Sequence, residues 1–256
     1  MRFDVLTLFP AMFAGPLDES ILKRAQDAGL IEVAIHQLRD WATDKHRTVD
    51  DYPFGGGPGM VMKPDPLFAA VEAIQPQASP PAEVVLLTPQ GRPLDGTLAR
   101  ELVELPRLLL VCGRYEGVDE RVRQHLVDSE VSVGDVVLSG GELPALMLID
   151  AVSRRIPGVL GAKDALSEES FDEGLLEYPQ YTRPAKFRGW MPPDVLLSGD
   201  HAKVAQWRRQ QRLLRTRARR PDLLEHAELE EQERRWLESE PTPIDVLDAG
   251  QRGPLD

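Results

Sequence analysis

Cysteine is almost absent from this chain: Cys112 stands alone among 256 residues. One thiol excludes an intrachain disulfide and any zinc site built from several cysteines. Closing the strand-like run Leu108 to Val111, it reads as a small apolar core residue rather than a nucleophile. Long apolar stretches are missing too. No run approaches the ~18 residues of a membrane span, and Met1-Arg2-Phe3-Asp4 leads into a strand pattern instead of a secretory signal. A cytoplasmic protein without membrane association is expected. Positive charge is in deficit, with a formal net charge of −12, which argues against indiscriminate nucleic-acid binding. Several motifs are also missing. Gly55-Gly56-Gly57-Pro58-Gly59-Met60 lacks the Lys-Ser/Thr of a P-loop, and no G-x-G-x-x-G leaves a strand for a helix. Nor is there H-E-x-x-H or G-x-S-x-G, so the common metallo- and serine-hydrolase signatures are excluded.

What is present begins with alternation. Phe3 to Leu8 reads as a strand, Asp18 to Ala28 as a helix stopped by Gly29, and Ile31 to Gln37 as a second strand. A loop spans Arg39 to Lys63. Then come a helix (Pro66 to Ile74), a strand (Glu83 to Leu87), a helix N-capped by Asp95 (Asp95 to Leu105), and a buried strand (Leu108 to Cys112). A short helix (Asp119 to His125), a strand (Glu130 to Val133) and a helix (Glu142 to Arg155) complete the series. Such alternation predicts an α/β fold: a mainly parallel sheet with helices on both faces. Gly161 to Leu175 is polar and aperiodic, which reads as a linker, and beyond Asp200 the pattern is helical, which predicts a small all-α domain.

Charge is segregated along the helical part. His201 to Arg220 carries eight basic residues and no acidic ones, whereas Asp222 to Glu240 carries eight acids against Arg234 and Arg235. Val204, Trp207, Leu214 and Ala218 recur at helical spacing, with Arg208, Arg212, Arg215 and Arg219 on another face. That face is either solvated and neutralised by the acidic helix or a surface for phosphates.

Three glycine-rich loops follow strands: Thr88 to Arg92, Gly113 to Arg121, and the loop within Ser132-Val133-Gly134-Asp135-Val136-Val137-Leu138-Ser139-Gly140-Gly141-Glu142-Leu143-Pro144. Glycine lets main-chain groups approach a flat polar ligand closely, and ligands of open α/β sheets sit at the carboxyl ends of the strands. Each loop alone is an ordinary turn. Together they predict one pocket, which a bulky residue at Gly141 should close while leaving the fold intact.

These stretches carry a resemblance. Asp44 to Met62 (DKHRTVDDYPFGGGPGMVM), Thr88 to Arg92, Gly113 to Arg121 (GRYEGVDER), Ser132 to Pro144, Ser153 to Gly161 (SRRIPGVLG) and Glu173 to Pro184 (EGLLEYPQYTRP) resemble, in order, the bacterial tRNA (guanine-N1)-methyltransferases of the SPOUT (trefoil-knot) superfamily. The resemblance implies transfer of a methyl group from S-adenosyl-L-methionine to N1 of the tRNA guanosine immediately 3′ of the anticodon. It implies a homodimer with the active site at the subunit interface, and raises a requirement for Mg2+, for which no ligands are named. It divides the chain into a knotted α/β donor-binding domain (1–160), a linker and active-site loop (161–176) and a helical tRNA-binding domain (177–256). True knots are rare, and no periodicity points to one.

Carried over residue by residue, the resemblance assigns donor binding to Leu86, Leu87, Pro89, Gly113, Tyr115, Glu116, Ser132, Val133, Gly134, Asp135, Val136, Val137, Leu138, Gly140, Gly141 and Pro144. Leu86 stands where the family often has an aromatic residue. Asp50, Gly55 and Gly59 are placed near the target base, and Arg208, Arg212, Arg215 and Arg219 on the RNA. Transfer to guanine N1 needs a base for its proton and a donor for charge developing on O6. Arg154 matches the family's electrophilic arginine; a structural arginine at a helix C-terminus is the alternative. The family's base is an aspartate before Ser-Phe, and here Glu169 occupies that position, with a solvated carboxylate as the alternative. Two other classes stay open: an RNA-binding protein that has lost the base, and a regulatory module that binds ATP as well as adenosylmethionine.

Overall fold

The computed structural model describes residues 1–161, 169–171 and 173–239. The chain divides into two compact units, Met1–Lys163 and Asp164–Asp256.

The first unit is built on a five-stranded sheet in the order β2-β1-β6-β5-β7, every pair parallel. Its strands are β1 (Arg2–Thr7), β2 (Glu32–Gln37), β5 (Glu83–Pro93), β6 (Arg107–Cys112) and β7 (Ser129–Ser132). A two-stranded antiparallel hairpin, β3 (Asp50–Asp51) and β4 (Val61–Met62), interrupts the expected loop. Helices α1 (Ser20–Asp27), α2 (Pro64–Ile74), α3 (Gly96–Val103), α4 (Glu120–His125) and α5 (Glu142–Ser153) cover the sheet. β6 is central and entirely buried, which is why its sequence is a continuous apolar run. Leu108, Leu110 and Cys112 enter one core with Phe3, Val85 and α5 residues such as Leu148 and Val152; Leu109 and Val111 enter the other with Leu67, Val71 and Val122.

Several boundaries move for identifiable reasons. Glu19 is extended, so Pro16–Asp18 forms a separate 3-10 turn and α1 starts at Ser20. Asp95 is the N-cap of α3, accepting from the Leu98 amide at 2.8 Å. The glycine loop expected after Leu87 is instead a bulged continuation of β5, because Arg92 pairs again with Val131. Gly91 makes that return possible: a Cβ there would lie 2.4 Å from the Val131 nitrogen.

A charged cluster ties strands to helix near the amino-terminal side of the sheet. Asp4, fully buried, accepts from Arg2 at 2.9 Å and from Arg107 at 2.8 Å, and meets His36 Nε2 at 2.8 Å. Arg107 also donates to the carbonyls of Ile74, Gln75 and Ala78 at the end of α2, satisfying orphan acceptors there. Burial alone would raise the Asp4 carboxyl, but the bonds from His36, Arg2 and Arg107 outweigh it and hold the group well below the ordinary carboxylate range. A depressed carboxyl stabilises the fold above its unfolded pKa of about 4 and loses that contribution as pH falls toward the folded value. Asp4→Asn should therefore cost roughly 3 kcal/mol at neutral pH, the typical penalty of breaking a buried pair. Urea-melt curves of the variant and the parent should begin to draw together below about pH 4 and meet only as pH nears the folded value.

The second unit contains α6 (Asp194–Leu197), α7 (His201–Arg219), α8 (Pro221–Leu224) and α9 (Glu231–Ser239). Leu175, Leu213, Leu214, Ala227 and Leu237 form its core. Arg209 joins α7 to α9 through Glu233 at 2.6 Å, so the basic and acidic helices do neutralise each other along one seam.

Candidate functional site

The three glycine-bearing segments meet at the carboxyl ends of the strands and enclose a cavity of about 300 Å³. Its walls are the middle of β5 (Leu86 to Gln90), the segment after β6 (Gly113 to Val118), and the segment from Glu130 to Gly141, closed by Pro144. Every residue assigned to donor binding lines it except Gly134 and Asp135, which lie in the turn below. Gly134 adopts φ +124° there, and its carbonyl accepts from the Val136 amide at 2.8 Å.

Backbone meets backbone at the pocket floor. The Gly141 amide donates to the Gly113 carbonyl at 2.9 Å, and a Cβ at Gly141 would lie 2.7 Å from Cys112 Cα. A leucine at Gly141 therefore cannot spare the fold, contrary to the sequence-based expectation. Burial pushes the Cys112 thiol up, which leaves it an inert core group.

An ion pair joins the loops. Arg114 donates to Glu142 at 2.9 Å and to the Ser139 carbonyl at 2.9 Å, while its guanidinium lies 4.3 Å from the Phe9 ring centroid. Glu142, fully buried at the start of α5, also accepts from Thr7 at 2.8 Å. The sequence reading missed this pair and the lining residues Arg123 and Glu130, which interact at 3.2 Å. A polar Thr7 ending an apolar strand was the available signal for Glu142.

The hairpin loop stands against the same wall. The Glu116 amide donates to the Met60 carbonyl at 3.0 Å, and the Met62 amide to the Gly117 carbonyl at 2.9 Å. A Cβ on Gly59 would meet the Glu116 side chain, whereas one on Gly55 would meet nothing within 4 Å. Tyr115 sits at φ +60°, a strained conformation for an aromatic residue. Burial first, and then the hydrogen bond to Asp50, push its hydroxyl above the ordinary tyrosine value, with Arg39 opposing. Asp50 and Gly59 are thus brought to the pocket through Tyr115 and Glu116.

Arg154 and Glu169 lie in different units. Arg154 is the half-buried C-cap of α5, and Glu169 is half-buried just before Ser170 and Phe171, which bond to Glu177 and Leu175. The exposed face of α5 runs through Leu143 and Met147, each about half exposed, and Arg154 follows on the same side two turns later.

The arginine face of α7 is only partly as expected. Arg212 is 5% exposed and bonded to Glu173 at 2.8 Å, so it belongs to the interior of its unit. The reason is rotational: Leu213, Leu214 and Thr216 are all buried, and Arg212 falls among them. Arg208 and Arg215 are half-buried and Arg219 is exposed.

No helix among the described residues is long and apolar enough to cross a membrane. Known proteins resemble the chain over nearly its whole length. A family model described as tRNA (Guanine-1)-methyltransferase TrmD matches residues 1–226. Proteins named tRNA (guanine-N(1)-)-methyltransferase include one from Chloroflexus aggregans, 61% identical over 227 residues, covering 89% of each chain. Another, from Geotalea uraniireducens, is 58% identical over 238 residues, 93% of this chain and 96% of that one.

Proposed function

The chain belongs to the tRNA (guanine-1)-methyltransferase family and is a methyltransferase of that kind, and we propose that its target is the guanosine immediately 3′ of the anticodon, read by residues named below. The observation that carries the reading is the convergence of three loops on one pocket with a backbone floor and apolar walls. S-adenosylmethionine fits it: Leu86, Leu87, Pro89, Val136 to Leu138 and Pro144 offer apolar surface, and Glu116 favours a cation, Glu120 and Glu130 being paired with Arg123. When bound, it supplies a methyl group on a positively charged sulfur. The chain's own residues do the rest. Glu169 accepts the N1 proton, and the Arg154 guanidinium stabilises charge growing on O6. Asp50 and the loop to Gly59 hold the base against the Tyr115–Glu116 wall. Among the described residues no group of three or more His, Cys, Asp or Glu is placed to hold a metal ion, and no step is assigned to Mg2+.

We extend the proposal to architecture. Residues 1–160 form a trefoil-knotted donor domain, in keeping with the tight passage of Gly141 against Cys112 and Gly113. Residues 161–176 are the linker carrying Glu169, of which 162–168 and 172 lie outside the described residues, and 177–256, described as far as 239, bind tRNA. A second copy covers Val137, Leu143 and Met147, an exposed apolar group beside the pocket, and this puts Arg154 at the subunit interface. Met147→Glu should convert the dimer to monomer by sedimentation and abolish methylation.

Methylation assays on tRNA transcripts carrying guanosine or adenosine at the target test the reading; equal incorporation into both would refute it. Arg208, Arg215 and Arg219 bind phosphates, without Arg212. Changing all three to Glu should weaken tRNA binding and flatten its salt dependence by roughly one unit of slope for each phosphate that is no longer neutralised, with donor affinity unchanged by calorimetry.

A further inference from the structure

A small hairpin in the second unit enters no step above. Phe187 and Trp190 face each other in an antiparallel bridge and exchange both main-chain bonds, the Phe187 amide donating to the Trp190 carbonyl at 3.0 Å and the Trp190 amide to the Phe187 carbonyl at 2.9 Å. Between them Arg188 and Gly189 sit at φ 49° and 90°, the left-handed pair of a tight two-residue turn. Directly opposed residues carry their side chains on one face. The two rings lie 6.2 Å apart between centroids, tilted by 45°, and Phe187 is 56% and Trp190 61% exposed. Met191 is half exposed beside them. The Arg188 guanidinium stands 5.4 Å from the Phe187 centroid, within reach of a cation–π contact. Neither ring enters the core of its unit, so packing does not account for the pair.

Charge selects the occupant. Tyr181 to Pro193 holds Arg183, Lys186 and Arg188 and no acidic residue, in a chain whose formal net charge is −12. Single-stranded RNA combines what such a surface recognises, phosphates that attract the cations and bases whose faces stack on aromatic side chains. An anionic membrane also attracts basic and aromatic groups, but surface anchoring typically buries the apolar face of a whole helix, and this turn offers only Phe187, Trp190 and Met191. Given the proposed tRNA substrate, on which this inference rests, we propose that the hairpin binds a second unpaired nucleotide of the tRNA, apart from the methylated guanosine. Its base stacks on Trp190, and Lys186 and Arg188 meet the flanking phosphates. Phe187 positions the Arg188 guanidinium across its own ring.

The test separates stacking from charge. Trp190→Ala should weaken tRNA binding roughly 10-fold, within the range for losing one stacked base, while Trp190→Phe retains most affinity. The slope of log Kd against log salt should stay parental in Trp190→Ala, because stacking releases no counterions, whereas Arg188→Gln should flatten it by about 0.7, the value for one single-strand phosphate. Donor affinity by calorimetry should not change in either. Abasic nucleotides placed singly through the unpaired loops of the tRNA should identify one position whose base loss weakens the parent and adds nothing in Trp190→Ala. If Trp190→Ala melts early, Trp190→Leu, which keeps apolar bulk without an aromatic face, is read in its place. Parental Kd in the variant read, or additive losses at every abasic position, would overturn the proposal. So would a changed oligomeric state in sedimentation, which makes the hairpin a contact between copies, or loss of binding to phosphatidylserine vesicles with tRNA affinity intact. Failure of the parent enzyme to methylate tRNA at all would instead remove the reading on which it rests.

Discussion

Glu169→Gln should leave tRNA and donor binding intact and cut the single-turnover rate of methyl transfer about 100-fold or more, the loss typical of a general base. The amide keeps the shape of the side chain and takes away the lone-pair basicity that removes the N1 proton. Arg154→Ala should lose a comparable factor through O6. Glu169→Asp, which restores the family's residue, should keep activity. The neighbouring Glu168, outside the described residues, is the control: Ser170 and Phe171 are bonded to Glu177 and Leu175 just beyond Glu169, which defines the register of the loop there. If Glu168→Gln is the dead variant, the carboxylate has been placed one residue off. If both variants stay active, the proton leaves by another route.

Gly141→Ala is expected to abolish donor binding and to lower the melting temperature. One methyl group is enough, since its carbon would lie 2.7 Å from Cys112 Cα, 3.0 Å from the Gly113 nitrogen and 3.1 Å from the Leu87 Cβ. Backbone at the end of a central strand cannot retreat the way a flexible side chain can. Overpacking of this kind costs roughly 1–3 kcal/mol, which in a chain of this size means about 2–4 °C per kcal/mol in melting temperature. The end of β6 must move, and with it the Gly113 carbonyl that the Gly141 amide bonds. Calorimetric donor affinity and a thermal melt on the same sample check both halves; parental values in both would show that the floor of the pocket is soft.

Much of this was readable from residues alone. Alternating apolar runs separated by helical periods are local signals, so the parallel sheet, the Asp95 cap and two of the three glycine loops were visible, while the third, Thr88 to Arg92, belongs to β5. The loops could be assigned to a single pocket because parallel strands bring their carboxyl ends to one edge. What escaped depends on partners far apart in sequence. Thr7 and Glu142 are separated by 135 residues, and nothing beside either one announces the other. The continuation of β5 past Leu87 required knowing that Val131 lies alongside Arg92. Arg212 was assigned to the outer face from spacing, but spacing gives only relative angles around a helix. The zero of that angle is set by the core it packs against, here Leu213, Leu214 and Thr216.

The wall shared by Tyr115 and Glu116 has a thermodynamic consequence. One side of this segment lines the donor pocket; the other is bonded through Met60 and Met62 to the loop that holds Asp50. Two ligands that press on opposite sides of one strip of backbone are linked, and linkage is reciprocal. Whatever factor the donor imposes on RNA affinity, RNA must impose on donor affinity. If both ligands engage this strip, each reports on the other through a few ångströms of shared main chain, and no separate sensor is needed.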